Sequence, residues 1–102
     1  MEMEVRSVGI IGAGVIGSSW AAFYATKGFK VKIYDADPSF CEKGLLRATD
    51  YVEFLRTREL ISENVAKKAI LDMTRADDLA EAVKDVQLIQ ESASETYEVK
   101  HQ

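Results

Sequence analysis

The run Gly12-Ala13-Gly14-Val15-Ile16-Gly17 constrains this chain more than any other feature, because it sits where a strand gives way to a helix. Val5 to Ile11 is short, apolar and β-branched, as a buried strand is. Ala13 to Lys27 reads as a helix, and Gly28 stops it as a left-handed C-terminal glycine. G-x-G-x-x-G alone is a weak signal, but between a strand and a helix it forms the loop that seats a dinucleotide. Gly12 permits the tight turn, Gly14 lets a pyrophosphate approach the backbone, and Gly17 lets the helix pack on the sheet. The helix start offers unpaired N–H groups and a partial positive charge to the phosphates. The whole loop, from Gly12 through Ala13, Gly14, Val15 and Ile16 to Gly17, is therefore the expected cofactor seat. It holds no lysine, which excludes a Walker-type triphosphate loop.

Asp35 completes the pattern. It closes the second strand, Lys30 to Tyr34, 21 positions after Gly14. Its carboxylate is expected to accept hydrogen bonds from both hydroxyls of an adenosine ribose, and its charge repels a 2′-phosphate. Ala36, Asp37 and Pro38 supply no arginine to offset that repulsion, so NAD is expected over NADP. FAD proteins share the motif but generally need much more chain. The plainer reading of Asp35 is a cap on the turn after the strand.

The rest of the chain alternates element types. Asp37-Pro38 is a strong helix start, followed by the apolar stripe Cys41, Leu45, Ala48, Val52 and Leu55. Ser62 can cap a further helix carrying Val65, Ala69 and Ile70. A short extended piece at Met73-Thr74, a helix from about Asp78 to Val83 and a strand from Val86 to Gln90 follow, with a helical turn near Thr96. Strands alternating with helices imply an α/β, Rossmann-type parallel sheet with right-handed crossovers, strand order 3-2-1-4 and a helical pair inserted between strands 2 and 3. In that order Val86–Gln90 lies at an open edge, although its apolar residues suit an interior strand. Residues 1–102 are thus expected to form one domain, truncated within its fold, with the edge completed by more chain or by another subunit.

Composition narrows the function. A net charge of -4 without a basic cluster argues against nucleic acid. No stretch approaches the roughly 20 apolar residues of a membrane span. The early apolar run from Val8 to Trp20 is broken by glycines and preceded by acidic residues, unlike a secretory signal. The expected compartment is the cytoplasm. Cys41 lies on a helix stripe and is expected to be a buried, inert thiol. Trp20, Phe23 and Tyr24 are expected to pack against the sheet. Asp77, Asp78 and Glu81 read as caps and solvated carboxylates; no metal site is expected.

The run V-G-I-I-G-A-G-V-I-G-S-S-W-A-A-F-Y-A-T-K-G-F-K-V-K-I-Y-D-A-D-P resembles the amino terminus of the 3-hydroxyacyl-CoA dehydrogenase family. Ser19-Trp20-Ala21 and L-I-Q-E-S-A at 88–93 are closer to the branch that contains lambda-crystallin (a gulonate 3-dehydrogenase) and carnitine 3-dehydrogenase. The resemblance covers essentially the whole chain, and the first 38 residues are its most specific part. It implies an NAD-binding domain within an oxidoreductase that converts a secondary 3-hydroxyl to a ketone. The substrate it implies is a 3-hydroxy acid or a 3-hydroxyacyl-CoA.

Matching the family pattern after the fourth strand, Ser92, Glu95 and Lys100 fall at positions near the nicotinamide half. Ser94 departs from it where many relatives have proline. The family's catalytic histidine and glutamate lie beyond these residues, as does a helical domain that closes the substrate cleft and forms a homodimer. No catalytic residue is therefore assigned here, and His101 reads as a solvated terminal residue. A non-catalytic NAD(H)-binding module and a structural, crystallin-like protein fit the same residues. An open strand edge favours self-association in the structural case.

Overall fold

Four short parallel strands carry the molecule, and their side-chain alternation decides which face each helix covers. The computed structural model describes residues 6–91. The elements are β1 (Ser7–Ile11), α1 (Val15–Thr26), β2 (Lys30–Tyr34), α2 (Pro38–Thr57), α3 (Glu63–Asp72), β3 (Met73–Arg75), α4 (Leu79–Val83) and β4 (Leu88–Glu91). The sheet order is β3-β2-β1-β4, every pair parallel, as the alternation of elements implies. Val8 pairs with Val31 and Ile10 with Ile33, so these four side chains stand on one face. All four are buried and pack with small residues of α1, α2 and α3. On the opposite face, a Cβ at Gly9 would stand 2.5 Å from the Ala82 carbonyl oxygen, so α4 lies directly on β1 there.

The helix starts follow the capping chemistry of the sequence. Asp37 accepts the Ser39 N–H at 3.0 Å with Pro38 in the first helical position. Ser62 accepts the Val65 N–H at 3.1 Å, and Asp78 accepts the Glu81 N–H at 2.8 Å. Gly28 ends α1 in the left-handed region at φ 97°.

Three expectations need correction. Trp20 and Phe23 are not core: they are 37% and 47% exposed, and Tyr24 is half-buried. The side of α1 that is buried consists of Gly17, Ser18, Ala21, Ala22 and Ala25. A helix that approaches the sheet closely enough to need glycine at 17 leaves no room for rings between the layers, so Trp20 and Phe23 lie outside, while Tyr24 packs against the margin of the core. Helix α1 itself begins at Val15 rather than Ala13, because the Ala13 N–H bonds the Asp35 carboxylate. In α3 the buried positions are Ala66 and Ala69, while Val65 is exposed.

The last strand also starts later than Val86. Asp85 sits at φ 60°, a left-handed turn residue, so β4 begins at Leu88. Among the described residues β4 pairs with β1 alone. Leu88 and Ile89, which point to opposite faces, are 42% and 51% exposed. The edge position expected for this strand is therefore what the described residues display. Thr96 and the helical turn expected near it lie outside the described residues.

Candidate functional site

The strand order places the glycine loop where open α/β sheets bind ligands. From β1 the chain runs to β2 on one side, while β4 lies on the other, so the carboxyl end of β1 opens a crevice at that reversal. The loop turns through Gly12 at φ 103°, a conformation reserved for glycine, and the Gly12 N–H bonds the Tyr34 carbonyl at 2.8 Å. Gly14 is the N-cap of α1 at φ -75° and ψ -161°, where any residue can sit, and it brings no capping side chain. The backbone therefore does not dictate glycine at 14. An absent side chain at that point matters to whatever approaches the helix end.

The first intrahelical bond of α1 runs from the Ser18 N–H to the Gly14 carbonyl at 2.9 Å. The N–H groups from Gly14 to Gly17 precede it and are left to an outside acceptor, at the positive end of the helix. A Cβ at Gly17 would stand 1.8 Å from the Gly12 carbonyl oxygen and 3.5 Å from Ile10. Gly17 thus fixes how closely the helix start overlies the turn. Val15 and Ile16 are exposed on the outer lip.

Asp35 ties this loop to the second strand. One carboxylate oxygen accepts the Ala13 N–H and the other the Asp37 N–H, both at 2.9 Å. The turn-capping reading of Asp35 is therefore realised. An ionised carboxylate has about four lone-pair sites, so the same group can still accept ribose hydroxyls. Ala13 has its N–H committed to Asp35 and its side chain buried, which makes it a fixed point of the loop.

Sequence reading missed the second wall. A cavity of about 420 Å³ opens between the loop and α2, bounded by Gly14, Val15, Ile16, Phe40, Lys43 and Arg47 with Ala13. Helix α2 reaches it because Gly44 has no side chain: a Cβ there would stand 2.5 Å from the Ala13 oxygen. Glycine inside an otherwise regular helical stripe was the available signal, since it costs helix stability without some packing reason. Ser18 is fully buried, donates to the Gly14 carbonyl at 2.7 Å and lies 3.4 Å from the Arg47 guanidinium.

Two neighbouring groups titrate away from their ordinary values. The Ser39 hydroxyl and N–H bonds, with attraction from Lys43, hold Asp37 below the usual carboxylate range. Burial pushes the Cys41 thiol up, and its Sγ lies 3.3 Å from the Ile33 carbonyl oxygen, as suits an inert core thiol.

The structure thus brings Gly12, Ala13, Gly14, Val15, Ile16, Gly17 and Asp35 into one crevice. Ser92, Glu95 and Lys100 lie outside the described residues, as does His101. Asp78 serves as a helix cap, as expected. No described helix is long and apolar enough to cross a membrane.

Comparison with known proteins agrees with this geometry. Residues 7–102 match the family described as 3-hydroxyacyl-CoA dehydrogenase, NAD binding domain. The chain is 36% identical over 100 residues to an L-carnitine dehydrogenase of Oceanobacillus iheyensis, covering 95% of this chain and 30% of that protein. It is 32% identical over 94 residues to a lambda-crystallin homolog of Bos taurus, covering 91% and 29% respectively. The crystal structure of (S)-3-hydroxybutyryl-CoA dehydrogenase from Ralstonia eutropha superposes with a TM-score of 0.79 at 26% identity, over 95% of this chain and 34% of that one. The chain therefore spans about 30% of the length of the curated relatives it matches.

Proposed function

The chain belongs to the 3-hydroxyacyl-CoA dehydrogenase family through its NAD-binding domain, and on that premise we propose that the glycine loop and Asp35 are where it holds NAD(H). The observation that carries the assignment is the pairing of free N–H groups at the α1 start with a carboxylate at the end of β2. The first suits a diphosphate and the second a ribose diol. Gly14 keeps the backbone approachable, Gly12 and Gly17 hold turn and helix in place, and Asp35 excludes a 2′-phosphate by charge.

NAD supplies hydride acceptance, and the residues of this chain supply its seat. In the whole protein we assign oxidation of a 3-hydroxy acid or a 3-hydroxyacyl-CoA to the 3-keto product, with Ser92, Glu95 and Lys100 near the nicotinamide half. That step also requires a positioned base and a bound substrate. The family pattern places its histidine and glutamate outside these residues. Residues 1–102 belong to the NAD-binding domain of that protein, which acts in the cytoplasm as a homodimer. The likeness to an L-carnitine dehydrogenase and to a lambda-crystallin homolog supports a branch acting on small 3-hydroxy acids.

The test is titration with NADH, followed by calorimetry, for the chain and for Gly14→Val. Because the backbone at 14 accepts any residue, the variant is expected to fold while losing at least about tenfold in affinity through its blocked phosphate approach. Equal affinity in both proteins would remove the glycine loop from the assignment.

A further inference from the structure

Helix α2 presents Phe40, Lys43 and Arg47 at i, i+3 and i+7, so all three share one face, and all three line the cavity at the glycine loop. The charges on that face are only weakly compensated: Lys43 attracts the Asp37 carboxylate without forming an ion pair with it. Among the described residues no ion pair includes Lys43 or Arg47, although the adjacent Glu42 pairs with Arg75 at 2.9 Å. The half-buried Arg47 guanidinium has two long contacts, 3.5 Å to the Ala13 oxygen and 3.4 Å to the Ser18 hydroxyl. The positive end of α1 faces the same space. Two side-chain cations and a helix N-terminus around one half-enclosed cavity repel each other unless an anion lies between them.

We propose that Lys43 and Arg47 form the second wall of the cofactor's diphosphate site, Lys43 contacting the diphosphate and Arg47 balancing its second charge from behind. This rests on the NAD(H) reading above and deepens it. In that arrangement the glycine loop supplies N–H donors from one side while α2 supplies charge from the other. A doubly negative diphosphate then meets two cations, and Asp35 is left to the ribose. The close seat of α2 on Ala13 at Gly44 sets the depth of this wall. A loop without a lysine therefore acquires its cations from the next helix, 26 and 30 positions beyond Gly17.

The experiment compares NADH and NADPH affinity at low and moderate salt, with the urea midpoint of the unliganded chain, for wild type, Lys43→Gln, Lys43→Arg and Arg47→Gln. The expected result for Lys43→Gln is an NADH affinity weaker by about tenfold, the size of one charge-assisted hydrogen bond. The exposed side chain leaves the urea midpoint in place. Both Gln variants show a shallower salt dependence, and Lys43→Arg recovers most of the affinity. Unchanged NADH affinity in Lys43→Gln overturns the proposal. A larger loss for NADPH than for NADH overturns it too, by showing a 2′-phosphate contact instead. If the midpoint falls together with affinity, recovery in Lys43→Arg sustains the charge role and no recovery overturns it. Absence of saturable NADH binding in the wild type overturns the underlying cofactor reading instead.

Discussion

Gly17 and Gly14 are glycine for different reasons, and substitution separates them. At Gly17 the obstacle is a backbone carbonyl 1.8 Å from where a Cβ would stand, and a carbonyl held by the turn has little freedom to retreat. Gly17→Ala is therefore expected to cost about 3 kcal/mol of stability, read from the urea midpoint. A loss under about 1 kcal/mol would show that the helix start moves freely off the turn. At Gly14 the backbone imposes nothing, so a substitution there acts on the ligand.

Asp37 acts through its charge. Its carboxyl is held low by the Ser39 bonds and by Lys43, whereas in the unfolded chain it titrates near about 3.9. The depressed folded value means its contribution is complete above the unfolded value and lost as pH falls through the lower folded one. Asp37→Asn keeps an acceptor for the cap but does not titrate. Its urea midpoint is expected to fall less steeply than wild type as pH drops below about 4. Parallel acid profiles for the two proteins would contradict this.

At the scale of elements, α2 is what turns a nucleotide loop into a walled site, and Gly44 is where it touches that loop. Gly44→Leu is expected to cost about 2 kcal/mol and to weaken NADH binding, since the added side chain pushes α2 off Ala13. Gly28→Ala is the control. Its strain is local, at φ 97° with nothing within 4 Å of an added Cβ, so it lowers stability without changing NADH affinity. Equal effects of the two variants on affinity would break the link between α2 seating and the site.

The parts legible in the sequence were those fixed by local chemistry. Asp37-Pro38, Ser62 and Asp78 mark helix starts through their own side chains, and β-branched runs mark β1 and β2. The outward turn of Trp20 and Phe23 was not legible, because it depends on the distance between α1 and the sheet. That distance is set by the meeting of Gly17 with Gly12 across the turn. Lys43 and Arg47 escaped notice for the same reason: which face of α2 meets the loop follows from tertiary contact at Gly44.

For the whole molecule, these elements place three helices on one face of the sheet and the short α4 on the other, with the crevice at the carboxyl end of β1. Such a unit is built to bind and orient a cofactor. The central claim is that NAD(H) sits on the α1 start with its ribose at Asp35. The direct measurement is a nuclear magnetic resonance titration of the ¹⁵N-labelled chain with NADH, following the backbone amides. Saturable shifts are expected at the amides of Gly14, Val15, Ile16 and Gly17 and around Asp35, with those of the distant α3 unmoved. Shifts clustered elsewhere, or no saturable shift at the glycine loop, would contradict the account.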